Sequence, residues 1–124
     1  MAEMLFWVYL VNAVLLINHE IDSAYWKEWD LFGTPGGITG FLLIHFPALF
    51  LFLYGLVLVY QGATAGLIVS LILSLSGLFA FTIHTYFIRR GREEFATPIS
   101  RIILIATLFV SLIQLFITLY LLVV

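Results

Sequence analysis

ATAGLIVSLILSLSGLFAFTIHTYFI, residues 63–88, carries no Lys, Arg, Asp or Glu. Roughly 20 such residues suffice to cross a hydrocarbon core of ~30 Å as a helix, at ~1.5 Å rise per residue. The stretch before it, 38–60, is equally apolar, and only Gln61 and Gly62 separate the two. So short a turn forces a tight antiparallel hairpin. Working outward, 4–21 and 98–124 are the remaining apolar stretches, with a polar and aromatic segment, 22–32, after the first. The chain is 64% hydrophobic and 10% charged, which no soluble domain of 124 residues could bury. The expected fold is all-α: a single transmembrane domain over 1–124, an integral membrane four-helix bundle with 22–32 along the membrane surface.

The first stretch reads as a spanning helix rather than a cleaved signal peptide. Its start holds Glu3 and no Lys or Arg, and no small-x-small cleavage site follows. Cysteine is absent, which excludes disulfides, thiolate metal sites and a Cys nucleophile. The net charge of −2 is too small to argue for partners, and nothing points to nucleic acid. The distribution of charge says more. All five Lys and Arg residues (Lys27, Arg89, Arg90, Arg92 and Arg101) fall in or beside the first and third loops. The positive-inside rule makes that side cytoplasmic and sends both termini outside. The expected location is the bacterial inner (plasma) membrane.

Two helix starts are signalled alike. Thr34-Pro35 and Thr97-Pro98 each set a capping hydroxyl before a proline at the first helical position. Phe32-Gly-Thr-Pro35 and Phe95-Ala-Thr-Pro98 echo each other, as relics of a duplicated two-helix hairpin would. In 63–88, Gly66, Ser70, Ser74 and Gly77 form a small-residue stripe suited to close helix packing. In 98–124, Thr107, Ser111, Gln114 and Thr118 form one polar stripe, which in lipid must face protein: this bundle, a second copy or a larger membrane complex.

His19, His45 and His84 sit in three different apolar stretches. With Tyr25 and Trp26 at the interface, His19 and His45 lie roughly 10 Å inside it and His84 about 7 Å inside. Asn18, Glu20 and Asp22 stand at the same level. Ionisable groups at membrane depth are costly and read first as functional. His and carboxylate ligands suit Zn²⁺ or Fe²⁺, so His19, Asp22, His45 and His84 are the candidate metal ligands, His19 and Asp22 sharing a helix face. Glu20 is the candidate catalytic acid or base, and Asn18, Trp26 and Trp29 the candidate ligand-binding residues. HEIDS, residues 19–23, has Ser23 where a zinc protease needs a second His, so no protease is inferred. Without a metal, the same groups suit acid–base chemistry on a lipid-like apolar molecule. Haem between His45 and His84 ranks lower, and a non-catalytic accessory subunit is the alternative outside enzymology.

The stretch NHEIDSAYWKEWDLF, residues 18–32, followed by Gly-Gly and a helix bearing His45, resembles small four-span bacterial membrane proteins classed as a domain of unknown function. It also looks loosely like a second uncharacterised membrane family with a His-x-x-Glu-Glu motif, where this chain reads His19-x-x-Asp22-Ser23. Both resemblances imply the membrane architecture and neither implies an activity.

Overall fold

The structure is a computed structural model that describes residues 1–93 and 95–124. Four of its helices are long and apolar enough to cross a membrane: α1 (Ala2–Tyr25), α3 (Gly37–Tyr60), α4 (Thr64–Arg89) and α5 (Pro98–Val123). A short helix, α2 (Glu28–Phe32), lies between the first two. The chain is therefore a multi-pass membrane protein by the length and composition of its helices. The spans pack as a ring in the order α1, α3, α4, α5, with only a lighter α1–α4 contact across it. The N-terminus, the α3–α4 turn and Leu121 border one cavity at one end. Leu31 and Phe95, from the two longer connections, pack together at the other.

The first span is longer than expected. It continues four residues past Ile21 and takes Asp22 and Ser23 into α1. The chain reverses at Lys27, whose backbone is left-handed with φ 54°, a rare conformation for a residue with a Cβ. Helix α2 then folds back under the bundle.

The paired Thr-Pro signals diverge. Thr97 caps α5, its hydroxyl accepting from the Ser100 amide at 3.2 Å, with Pro98 opening the helix. Thr34 does not cap α3. Gly36, at φ 96°, holds that place, and the Thr34 hydroxyl donates to the Trp29 carbonyl instead. The left-handed turn open to glycine displaces the Thr-Pro start by two residues.

The core has an apolar half and a polar belt. Leu5, Tyr9 and Ala13 of α1 pack with Phe52, Val59, Val69, Leu73 and Ile117. The Tyr9 hydroxyl donates to the Phe52 carbonyl at 2.6 Å, joining α1 to α3. Below this layer the Asn12 amide donates to Gln114 Oε1 at 2.8 Å and to the Ser111 hydroxyl at 3.2 Å. The Gln114 amide donates in turn to the Ser70 carbonyl and hydroxyl at 3.1 and 2.9 Å. Ser70 and Thr118 share a further bond of 2.8 Å. All five of these residues are buried. The polar stripe of α5 thus faces its own bundle. The small residues of α4 are what admit it: a Cβ on Gly77 would overlap the Ser111 hydroxyl.

Gly77→Val should therefore push α4 off α5 and destabilise the bundle by about 1–3 kcal/mol, the usual cost of overpacking. Thermal or denaturant unfolding in a mild detergent measures it. Gly62→Val, at a turn where an added Cβ meets nothing within 4 Å, serves as a partial control, since its φ of 71° adds only backbone strain.

Candidate functional site

The sequence expectation of one group of ligands resolves into two neighbouring arrangements. The first joins α1 to α3. His45 Nδ1 lies 2.6 Å from the carbonyl of Phe41 one turn earlier, and its Nε2 lies 2.5 Å from Glu20 Oε2. A carbonyl can only accept, so Nδ1 carries a hydrogen. The contact between Nε2 and the carboxyl oxygen then needs one proton of its own. It is either an imidazolium facing a carboxylate or a neutral imidazole facing a carboxylic acid. Both side chains are 20% exposed, so this pair is reachable.

The second arrangement is closed. His19 and His84 are 3% and 1% exposed, with ring centroids 4.8 Å apart in an edge-to-face contact. Phe95 covers both, at 4.0 Å from the His84 ring and 5.6 Å from the His19 ring. Phe32 stacks on His84 at 5.8 Å. The two phenylalanines of the echoed Phe-x-Thr-Pro segments thus flank one imidazole. Phe95 reaches its place from a left-handed backbone, φ 68°, which for a bulky residue persists only where the surroundings enforce it. Its ring is fully buried.

Glu28 of α2 connects the two arrangements. Its Oε1 lies 3.6 Å from His84 Nε2, an ion-pair distance rather than a hydrogen bond. Burial alone would raise the Glu28 pKa. The facing His84 imidazole and Ser23 hydroxyl, with the nearby charge of His84 and His19, outweigh burial and hold it below the usual carboxylate range. Among the described residues, His19 Nδ1, His84 Nδ1, Asp22 Oδ2 and Ser23 Oγ are buried without a hydrogen-bond partner. The two imidazole nitrogens belong to one ring pair, Asp22 lies toward Trp26, and Thr107 Oγ1 of α5 is buried without a partner as well.

Glu20, Glu28, Trp29, Phe41 and His45 line a cavity of about 240 Å³ between α1, α2 and the start of α3. Trp29 packs on Phe41 at 5.6 Å and forms part of its wall. Trp26 stands elsewhere, its indole N–H donating to Asp22 Oδ1 at 3.0 Å. Asn18 is exposed on α1 and bonds the Val14 carbonyl of its own helix at 3.1 Å. His45 faces Glu20, His19 faces His84, and Asp22 is turned toward Trp26. Among the described residues, no three His, Asp or Glu side chains come together as metal ligands.

Glu28 is not among the residues that the sequence singles out as candidates. Its place depends on the backbone reversal at Lys27, and no residue type announces that turn. A lysine with positive φ looks like any other lysine in a charged loop.

No curated protein and no solved structure matches the chain. One family model does, described as a family of unknown function (DUF6713), and it matches residues 5–121. With nearly its whole length covered, the chain, with its four helices long and apolar enough to cross a membrane, belongs to this family of unknown function.

Proposed function

We propose that the protein is a membrane-embedded acid–base site for a lipid-like molecule, its charged end toward the cytoplasm. The observation that carries the reading is the Glu20–His45 pair, sharing one proton at the wall of a cavity beside Glu28. A group that can both give and take a proton, set where polar headgroups meet acyl chains, suits an apolar molecule with a small polar end. Glu20 acts as the acid or base. His45 holds the exchanged proton, and its Nδ1–H bond to Phe41 fixes the ring. Glu28 supplies a fixed negative charge, and Trp29 with Phe32 forms the lid.

A second reading has one observation in its favour. The orphaned Nδ1 atoms of His19 and His84 could take an ion between them. Neither reading needs a partner subunit, since the bundle itself bonds Ser111, Gln114 and Thr118 of the α5 stripe and buries Thr107.

Topology is checked by single cysteines, since the chain has none of its own. Cysteine at Gly62 should label from outside the cell and cysteine at Arg92 only from inside. The reverse pattern would move the site to the opposite leaflet.

The site itself is checked by purifying the protein in mild detergent and identifying co-purified lipids and metals by mass spectrometry. Wild type should retain one class of apolar molecule that Glu20→Gln and His45→Ala release without unfolding. Equal lipid content in all three proteins would sink the proposal. Stoichiometric zinc or iron that disappears in His19→Ala would favour the second reading instead.

Acid should loosen α2. Because the folded state holds Glu28 below its ordinary pKa, its contribution is complete above ~4.3 and is lost as pH falls from there through the lowered value. Amide exchange over residues 26–36 should accelerate across that window. Glu28→Gln should be loose at neutral pH already and lose this part of the acid response.

A further inference from the structure

Among the described residues, Arg89 and Arg101 make no ion pair or hydrogen bond, and both are exposed. Arg101 stands in the first turn of α5, where the helix dipole presents its positive end and a cation is least welcome. Arg90 differs: its guanidinium lies over the Tyr86 ring at 5.5 Å from the centroid. Arg89 and Arg101 flank the same opening. It leads to a cavity of about 290 Å³ between α4 and α5, lined below them by Phe81, Ile88, Leu104 and Ile105. Two guanidiniums from adjacent helices therefore sit at the head of an apolar slot that runs toward the lipid.

We propose that this slot is a binding site for an anionic phospholipid of the adjoining leaflet, the headgroup phosphate bridging Arg89 and Arg101 and one acyl chain lying along Phe81, Leu104 and Ile105. Guanidinium and phosphate match in charge and in planar, two-pronged donor geometry. A zwitterionic headgroup carries its own ammonium, which competes for the same phosphate. Basic pockets between spanning helices are a recurring way to hold anionic headgroups. An anion here also neutralises the charge that the start of α5 opposes, so the lipid would tie α4 to α5 at the charged end. The site is separate from the Glu20–His45 cavity, which lies between α1, α2 and α3, and stands or falls independently of it.

Native mass spectrometry in a neutral maltoside detergent tests it, with phosphatidylglycerol, phosphatidylcholine and glycerol phosphate as probes. Phosphatidylglycerol should bind at one site, at least about tenfold more tightly than phosphatidylcholine, because a charge-assisted bond is at stake. Glycerol phosphate, a monoester that carries more negative charge but no chains, should still bind far more weakly. Arg89→Gln and Arg101→Gln should each weaken phosphatidylglycerol by about tenfold, while Arg90→Gln changes it little. Ile105→Trp, which plugs the slot from its exposed side, should weaken binding with both arginines intact. All four residues are exposed, so unfolding is not expected, and melting curves without lipid verify that. Equal binding of phosphatidylcholine, equal loss in Arg90→Gln, undiminished binding in Ile105→Trp, or equal affinity for glycerol phosphate would each overturn the proposal.

Discussion

A polar group inside a bilayer has no water to fall back on, and the structure is organised around that constraint. Gln114 answers it most fully. Its carbonyl accepts from Asn12 and its amide donates to Ser70, so one side chain ties α5 to both α1 and α4. Interhelical bonds of this kind are worth about 0.6 kcal/mol each on average, and up to ~1.7. Their larger effect is on register. Sliding α1 by one turn would strand Asn12 among apolar side chains. The levels of His19, Glu20 and Ser23 follow from that lock, as do those of the groups they meet.

Much of this arrangement was legible in the sequence, because lipid imposes simple rules on composition. The four spans and the hairpin at Gln61–Gly62 follow from hydropathy and spacing, as does a protein-facing stripe on α5, whose partner hydropathy alone left open. The positions of His19, Glu20, His45 and His84 along their helices were legible as well. Their pairing was not. Depth is set by position along a helix, whereas partnership depends on rotation about the helix axis and on helix neighbours. Glu20 stands next to His19 in sequence but about 100° around the helix. That offset carries it to α3 and His45, while His19 turns toward α4 and His84. The failure at Thr34 has a similar origin, since two glycines that tolerate left-handed backbone moved the helix start beyond the residues that advertised it.

The two imidazole environments differ in kind. His19 and His84 are sealed under Phe95 and Phe32, with hydrogen-bonding capacity left unused. His45 is partly open, and both its ring nitrogens are engaged. A partly open, fully partnered histidine beside a sealed, under-partnered pair is the reverse of what solvation alone would favour. Glu28 stands where the two meet, as a wall of the cavity on one side and the neighbour of His84 on the other. A single carboxylate on a five-residue helix thus borders both the cavity and the sealed pair.

The inward turn of the α5 stripe has a consequence for how the protein meets its neighbours in the bilayer. The outward hydroxyls of Ser76 and Thr82 are bonded back to carbonyls of their own helix, at 2.8 Å each. With the strong donors spent inside, the mid-bilayer surface presents aliphatic and aromatic side chains and little else. Apart from exposed groups such as the Asn18 amide and the Tyr54 hydroxyl, recognition within the bilayer falls to shape and to the displacement of lipid tails. Electrostatic address is left to the charged rim, where headgroups and water compete for it.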